Sequence, residues 1–146
     1  MGLIDDVGRG PVALDTAAFI YFIEEHPIYV PIVAPLFEAI DAGKLEASTS
    51  AITLLEVLVL PYRSGDADLA VRYERLLTRS RGLTMVALDN ALLGAAAQLR
   101  AAARVKKPDA IQLAAALHRR ATSFVTNDRE LSNIGSLRIL QLSHYV

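Results

Sequence analysis

The chain has 146 residues, a formal net charge of −1 at neutral pH and a hydrophobic fraction of 53%. Its length fits one domain, and no apolar stretch approaches the roughly 18 uninterrupted residues that a transmembrane helix requires. The sequence contains no cysteine, which excludes disulfides, thiolate metal ligands and cysteine nucleophiles. Because the N-terminus also shows no basic-then-apolar export signal, we expect a cytoplasmic protein that does not enter a membrane.

Strands and helices are predicted in alternation along the chain. The first half is predicted to contain a buried strand at 11–15, a helix capped by Thr16 that ends before Pro27, a helix from about Pro31 to Gly43, a strand at 45–48 and a helix capped by Thr49 or Ser50 that breaks at Pro61. The second half is predicted to contain helices from about Asp68 to Ser80, from Asp89 to Arg104 and from Pro108 to about Arg120, with strands at 83–88, 123–126 and 137–140. We therefore expect residues 1–146 to form a single α/β domain, a three-layer α/β/α sandwich around a mainly parallel sheet.

Charge is distributed unevenly between the two halves of the chain. Residues 1–71 contain eleven acidic and three basic side chains, whereas residues 72–146 contain five acidic and twelve basic ones. A basic half of this kind is compatible with an anionic partner such as nucleic acid. Solvated helix faces give the same pattern, so composition permits a nucleic-acid partner without requiring one.

Three acidic residues are predicted to meet at one edge of the sheet. Asp15 ends the first strand, Asp128 follows the fourth strand, and Asp109 lies in the first turn of the helix that begins at Pro108. In open α/β sheets, ligands bind beyond the carboxyl ends of the strands, where loops and helix starts gather. Each residue also has a purely structural explanation: a helix cap for Asp15, a favourable helix-dipole contact for Asp109 and a turn for Asp128.

Glu56 is a fourth candidate because it is the lone acid in the mostly apolar helix segment 51–60. A carboxylate buried there requires a cation or hydrogen-bond donors. Alternatively, Glu56 lies on a solvent-facing stripe and pairs with Arg63 or Arg9. Thr16 and Thr126 are secondary candidates, since their hydroxyls can orient water or phosphate at the same edge. Asp5 and Asp6 are expected to lie in a solvated N-terminal tail.

Four converging carboxylates would repel one another unless a divalent cation lies between them. Oxygen ligands without His or Cys favour Mg²⁺ or Mn²⁺ over zinc. Such an ion can activate a water molecule for in-line attack on a phosphodiester and neutralise the leaving oxygen, so that no protein nucleophile is needed. The three histidines, His26, His118 and His144, are far apart in the sequence and do not indicate a histidine metal cluster.

The acidic motifs resemble, in order and spacing, those of the PIN-domain nucleases, and most closely those of the VapC-type toxins of bacterial toxin–antitoxin pairs. The motifs are LDT at 14–16, TSAITLLE at 49–56, PDAIQLAAAL at 108–117 and VTND at 125–128, with FEAIDAG at 37–43 also similar. The resemblance implies that Asp15, Glu56, Asp109 and Asp128 bind the metal, with Thr126 supporting Asp128. It further implies Mg²⁺- or Mn²⁺-dependent endonucleolytic cleavage of RNA, a homodimer, and neutralisation by a small cognate antitoxin.

Two other functions are compatible with parts of this pattern. A haloacid-dehalogenase-like phosphatase also carries an Asp at the end of its first strand, but it needs a second Asp two residues later, where this chain has Ala17. A non-catalytic α/β interaction module, whose acids only cap helices, is the alternative from a different class. Metal binding separates this module from the nuclease.

Overall fold

The structure, a computed structural model, describes residues 2–146 as alternating strands and helices. Its elements in chain order are α1 Leu3–Val7, β1 Val12–Leu14, α2 Thr16–Ile23, α3 Val30–Asp41, β2 Ala47–Ser50, α4 Ile52–Ser64, α5 Ala67–Arg79, β3 Leu83–Val86, α6 Asn90–Ala103, α7 Lys107–His118, β4 Ser123–Thr126, β5 Arg138–Gln141 and a 3-10 turn Leu142–Tyr145. Within residues 2–146, no helix combines the length and apolarity needed to cross a bilayer.

The strands of the described chain form one five-stranded parallel sheet in the order β3-β2-β1-β4-β5. The central strand is β1, in which Ala13 lies beside Ser48 of β2 and Phe124 of β4. Because all strands run in the same direction, their carboxyl ends lie at one edge, where Asp15 and Asp128 follow β1 and β4. The predicted parallel sheet is confirmed.

Helices cover both faces of the sheet, as the alternation of side chains along β1 shows. Val12 and Leu14 pack into the larger core with residues of α1 to α5, whereas Ala13 packs on the opposite face with residues of α7. Successive side chains of a strand point to opposite faces, so a strand buried on both sides reads as a continuous apolar run. The three-layer α/β/α sandwich is therefore confirmed.

Several predicted boundaries differ from the structure by a few residues. Asp15, not Thr16, is the N-cap of α2, and the second strand begins at Ala47 rather than residue 45. Thr49 and Ser50 belong to this strand, so they do not cap α4. The helix α4 does not break at Pro61 but continues to Ser64 and ends before Gly65, whose left-handed φ of 71° favours glycine. Burial of Pro61 offsets the lost helix hydrogen bond.

The sequence predicts a solvated N-terminal tail, and this prediction is wrong for residues 2–10. Met1 lies outside the described residues. The segment forms the short helix α1, whose Leu3 and Val7 are buried. Tyr145 donates a hydrogen bond to Asp6 Oδ2 at 2.6 Å, and Arg138 donates one to the Asp6 carbonyl oxygen at 2.6 Å. Burial and the neighbouring Asp6 raise the pKa of Tyr145 to about 12. Asp6 thus ties α1 to the C-terminal end of the chain.

Candidate active site

Asp15 is fixed at the carboxyl edge of the sheet by both of its carboxylate oxygens. Oδ1 accepts a hydrogen bond from the backbone N–H of Thr16, the first residue of α2, at 2.8 Å, whereas an N-cap side chain usually binds the N–H of the second or third helical residue. Oδ2 accepts one from the Thr126 hydroxyl at 2.7 Å. Burial raises the pKa of Asp15, these two hydrogen bonds lower it, and the charge of Asp128 raises it further. Capping alone explains only one of the two oxygens.

Thr126 connects Asp15 with Asp128. Its hydroxyl, fully buried at the end of β4, donates to Asp15 and accepts a hydrogen bond from the Asp128 backbone N–H at 3.0 Å. The loop after β4 is also held by Gln141, which donates to the Asp128 carbonyl oxygen at 2.7 Å. The sequence predicts a supporting role for Thr126, and the structure places its hydroxyl between the two acids.

Asp109 brings a third carboxyl group to the same place from the start of α7. Its carboxyl group interacts electrostatically with those of Asp128 and Asp15. The pKa of Asp109 is raised to about 7, first by burial, then by the hydrogen bond and charge of Asp128 and by the charge of Asp15, while Lys106 lowers it. Neighbouring carboxylates repel one another when they ionise, and a bound cation would remove that repulsion.

We call Asp15, Asp109 and Asp128 the aspartate cluster. Its donor set is made entirely of carboxylate oxygens, which fits a hard divalent cation such as Mg²⁺ or Mn²⁺. Within residues 2–146, however, no three His, Cys, Asp or Glu side chains are arranged as a ready-made metal site. Asp128 Oδ1 accepts a hydrogen bond from the Glu130 backbone N–H at 3.0 Å, and the oxygens of Asp15 accept from Thr16 and Thr126. Side-chain rotation would therefore accompany binding, so the set fits a metal by chemistry and by proximity.

Glu56 reaches the same edge from the helix α4. Its Oε1 accepts a hydrogen bond at 2.7 Å from the hydroxyl of Thr16, the residue that follows Asp15 in the chain. The side chain is exposed rather than buried, so the cost of burying a charge does not apply to it. Within the described residues, the single ion pair joins Lys106 to Glu130 at 3.3 Å, and the alternative pairing of Glu56 with Arg63 or Arg9 is absent.

Thr16 belongs to a set of neutral polar side chains, two of which, Thr53 and Gln112, are buried and were given no role by the sequence. We call Thr16, Thr49, Thr53 and Gln112 the hydroxyl–amide network. Gln112 of α7 is 2% exposed, and its amide nitrogen donates to the Thr53 hydroxyl at 2.8 Å. The Thr53 hydroxyl is also 2.7 Å from that of Thr49. One signal was available in the sequence, because Gln112 is the lone amide in the apolar stretch that follows Asp109.

A shallow cleft of about 250 Å³ opens beside the aspartate cluster. Arg104, Lys106, Asp109 and Glu130 are among the residues that line it. Lys106 precedes α7 as its N-cap residue, and Lys107 is the first residue of that helix. Four basic residues precede Asp109 in the sequence, namely Arg100, Arg104, Lys106 and Lys107. Two of them, Arg104 and Lys106, line this cleft together with Asp109. The cleft offers positive charge next to the acids.

Comparison with known proteins agrees with this geometry. The family model for the PIN domain matches residues 12–137, which include all four candidate acids. The chain belongs to the PIN domain family. A comparison with curated protein sequences gave no match. The family model thus confirms the family that the motifs indicate.

Solved structures that resemble this PIN domain come from toxin–antitoxin systems. VapBC2 of Rickettsia felis, bound to a DNA fragment from its promoter, has a TM-score of 0.68 at 18% identity and covers 89% of this chain and 97% of its own. A Klebsiella pneumoniae toxin–antitoxin complex has a TM-score of 0.64 at 20% identity, with 86% and 94% covered. VapC20 of Mycobacterium tuberculosis, a sarcin–ricin loop cleaving toxin, has a TM-score of 0.67 at 14% identity, with 87% and 98% covered. At these identities the likeness concerns the fold.

Proposed function

We propose that this PIN domain is a Mg²⁺- or Mn²⁺-dependent endoribonuclease that hydrolyses RNA phosphodiesters. The observation that carries the proposal is the aspartate cluster, in which the Thr126 hydroxyl links Asp15 to the Asp128 backbone and the charge of Asp128 acts on both Asp15 and Asp109. Helix capping concerns Asp15 alone, and it gives no reason for Asp128 to lie where its charge raises the pKa of both Asp15 and Asp109. A shared cation gives that reason.

Each residue of the site has a distinct part in the proposal. The metal would be held by Asp15, Asp109 and Asp128, with Glu56 at the margin of the site. Thr126 would fix the positions of Asp15 and Asp128 relative to each other through its two hydrogen bonds. The bound metal would supply an activated water and neutralise charge on the phosphate. The carboxylate oxygens of Asp15 keep free lone pairs for this purpose, because each accepts only one hydrogen bond.

The cleft lined by Arg104 and Lys106 supports an RNA substrate. Basic side chains bind the phosphate backbone without regard to sequence, and they would guide a strand toward the acids. Lys106 is held by Glu130 at 3.3 Å, so Arg104 and the neighbouring Lys107 are the freer charges. Single-stranded or looped RNA fits best, because its backbone can enter a shallow cleft.

We further propose that the protein is the toxin of a type II toxin–antitoxin pair, with a small cognate antitoxin as partner and a homodimer as its assembly. Support comes from the fold shared with proteins described as VapBC2, a toxin–antitoxin complex and a sarcin–ricin loop cleaving toxin. A short reading frame beside the gene, whose product binds and inhibits this protein, would identify the antitoxin.

RNA cleavage after induced expression tests the proposal. Sequencing of RNA ends should show new ends at a limited set of sites with the wild-type protein. The Asp109→Asn variant should show none of them, because a neutral amide of nearly the same size replaces the carboxylate of a proposed metal ligand. Purified protein should cut the same RNA with Mg²⁺ or Mn²⁺ and not with EDTA.

The chain offers a matched control in Asp68, which is exposed in the first turn of α5 just as Asp109 lies in the first turn of α7. Asp68→Asn removes the same charge from the first turn of a helix, and its cleavage pattern should equal that of the wild type. Identical RNA ends from the wild type and Asp109→Asn would contradict the proposed function.

A further inference from the structure

The Gln112 side chain is the centre of the hydroxyl–amide network. Its Oε1 accepts a hydrogen bond from the Ser50 backbone N–H at 3.2 Å, and the Thr49 hydroxyl lies at 3.5 Å. Its Nε2 donates to Thr53 Oγ1 at 2.8 Å and to Thr16 Oγ1 at 3.4 Å. A single amide thus links β2, α4, α7 and the start of α2 at the carboxyl edge of the sheet.

The orientation of this amide is fixed by the backbone. Ser50 lies two residues beyond Ser48, the last β2 residue paired with β1, and its N–H turns to the Gln112 side chain. A backbone N–H can only donate, so the atom that faces it must be the amide oxygen. The NH₂ group is therefore directed at Thr53 and Thr16, and a flipped amide would leave two donors facing each other.

The direction of the hydrogen bonds continues from Gln112 to Glu56. An ionised carboxylate only accepts, so Thr16 commits its hydrogen to Glu56 Oε1 at 2.7 Å. The Thr16 oxygen must then accept from the other side, where the Gln112 amide lies at 3.4 Å and the Thr53 hydroxyl at 3.3 Å. The buried Gln112 amide is thereby connected through Thr16 to the exposed Glu56 carboxylate.

We propose that Gln112 is a positioning residue for the metal site, acting through Thr53 and Thr16 on Glu56. The inference rests on the proposed function, because it assumes that Glu56 contributes to metal binding. Side chains that orient ligands without touching the metal commonly change metal affinity on the order of tenfold or more when they are replaced. A glutamine that only joined α7 to β2 would change stability and leave metal affinity unchanged.

A double-mutant cycle on Mn²⁺ binding tests this role. Isothermal titration with Mn²⁺ is made on the wild type, Gln112→Met, Glu56→Gln and the double variant, and thermal midpoints are measured in EDTA. Gln112→Met keeps the length of the side chain without its hydrogen bonds, and we expect it to weaken Mn²⁺ binding on the order of tenfold. In the Glu56→Gln background the same replacement should have no further effect, because the group that it positions is already altered.

Gln98 of α6 provides the matched control, since it is an exposed glutamine, and Gln98→Met should bind Mn²⁺ like the wild type. If Gln112→Met fails to fold, Thr53→Val carries the same cycle. Thr53→Ser, which keeps the hydroxyl, should then restore wild-type affinity. Restoration by serine but not by valine distinguishes a positioning hydroxyl from simple packing.

The outcomes separate the two proposals. Unchanged Mn²⁺ affinity in Gln112→Met, or equal losses in the presence and absence of Glu56, would overturn the positioning role while the metal site stands. A wild-type protein that binds no Mn²⁺ would overturn both. A loss on the order of tenfold that disappears in the Glu56→Gln background would support the role of Gln112.

Discussion

The aspartate cluster and the hydroxyl–amide network meet at two consecutive residues, Asp15 and Thr16, yet they are built on opposite principles. In the cluster, three carboxyl groups lie together and the pKa values of Asp15 and Asp109 rise. In the network, neutral hydroxyls and one amide bond to one another. The aspartate cluster thus concentrates negative charge, which lowers the stability of the fold. The hydroxyl–amide network instead holds a single carboxylate, Glu56, through hydrogen bonds between neutral groups.

This contrast implies opposite effects on stability. Replacing an acid of the cluster should remove repulsion and leave the metal-free fold as stable or more so, while abolishing metal binding. Replacing a member of the network should leave buried donors or acceptors without partners and destabilise the fold. Function and stability therefore separate in the cluster and coincide in the network.

The largest expected effect is the loss of stabilisation by metal. Mn²⁺ at one hundred times its Kd should stabilise the wild type by about 2.7 kcal/mol, which raises the thermal midpoint by several degrees. Asp109→Asn should show no such shift, although its midpoint in EDTA should equal or exceed that of the wild type. Differential scanning calorimetry measures both. Equal Mn²⁺ shifts in the two proteins would favour a non-catalytic module.

A smaller effect is expected at Thr126, whose hydroxyl donates to Asp15 and accepts from the Asp128 backbone. Thr126→Val keeps the shape of the side chain and removes both bonds, and it should weaken Mn²⁺ binding on the order of tenfold. Thr126→Ser retains the hydroxyl and should bind almost as the wild type does. Titration calorimetry compares the three proteins, and indistinguishable valine and serine variants would exclude this role of the hydroxyl.

The basic residues beside the cluster should affect RNA binding more modestly. Reversing Arg104 and Lys107 to glutamate should weaken binding and flatten the plot of log K against log salt by about 0.7 per lost phosphate contact. Filter binding of single-stranded RNA at several salt concentrations gives the slope. The matched control reverses Arg119 and Arg120, which follow the far end of α7, about 18 Å away. An equal change in both pairs would indicate ordinary surface charges.

The smallest effect is the pH dependence of stability in EDTA. The pKa of Asp109 is about 7 in the fold, compared with an ordinary value of 3.8. Between these values the folded chain holds a proton that the unfolded chain releases, so stability is highest at the acidic end and falls as pH rises toward 7. The thermal midpoint should decrease from pH 5 to pH 7.5, and Asp109→Asn should show a shallower decrease. Parallel curves for the two proteins would contradict the raised pKa.

The sequence was sufficient for the part of the site that backbone topology determines. Asp15 and Asp128 follow parallel strands and Asp109 begins a helix, so their meeting at one edge follows from the order of elements. The contact of Glu56 with Thr16 could not be predicted, because it depends on how α4 packs beside α2. The same holds for Gln112, whose partners come from three other elements.

The two largest errors of sequence-based reasoning also concern tertiary contacts. The helix α1 has only five residues and would not be stable alone, but Leu3 and Val7 pack into the core and Asp6 binds Tyr145. Pro61 usually ends a helix, yet its burial within α4 stabilises the continued helix to Ser64. Local sequence propensity predicted a solvated N-terminal tail and the end of α4 at Pro61. In both places tertiary packing stabilises a helix instead.

The most direct test of the central claim is to locate a metal in the protein. Crystals grown with Mn²⁺ are expected to show an anomalous difference peak within coordination distance of Asp15, Asp109 and Asp128. Crystals of Asp109→Asn grown in the same way should show no peak there. A wild-type crystal in Mn²⁺ whose aspartate cluster carries no peak would contradict the account.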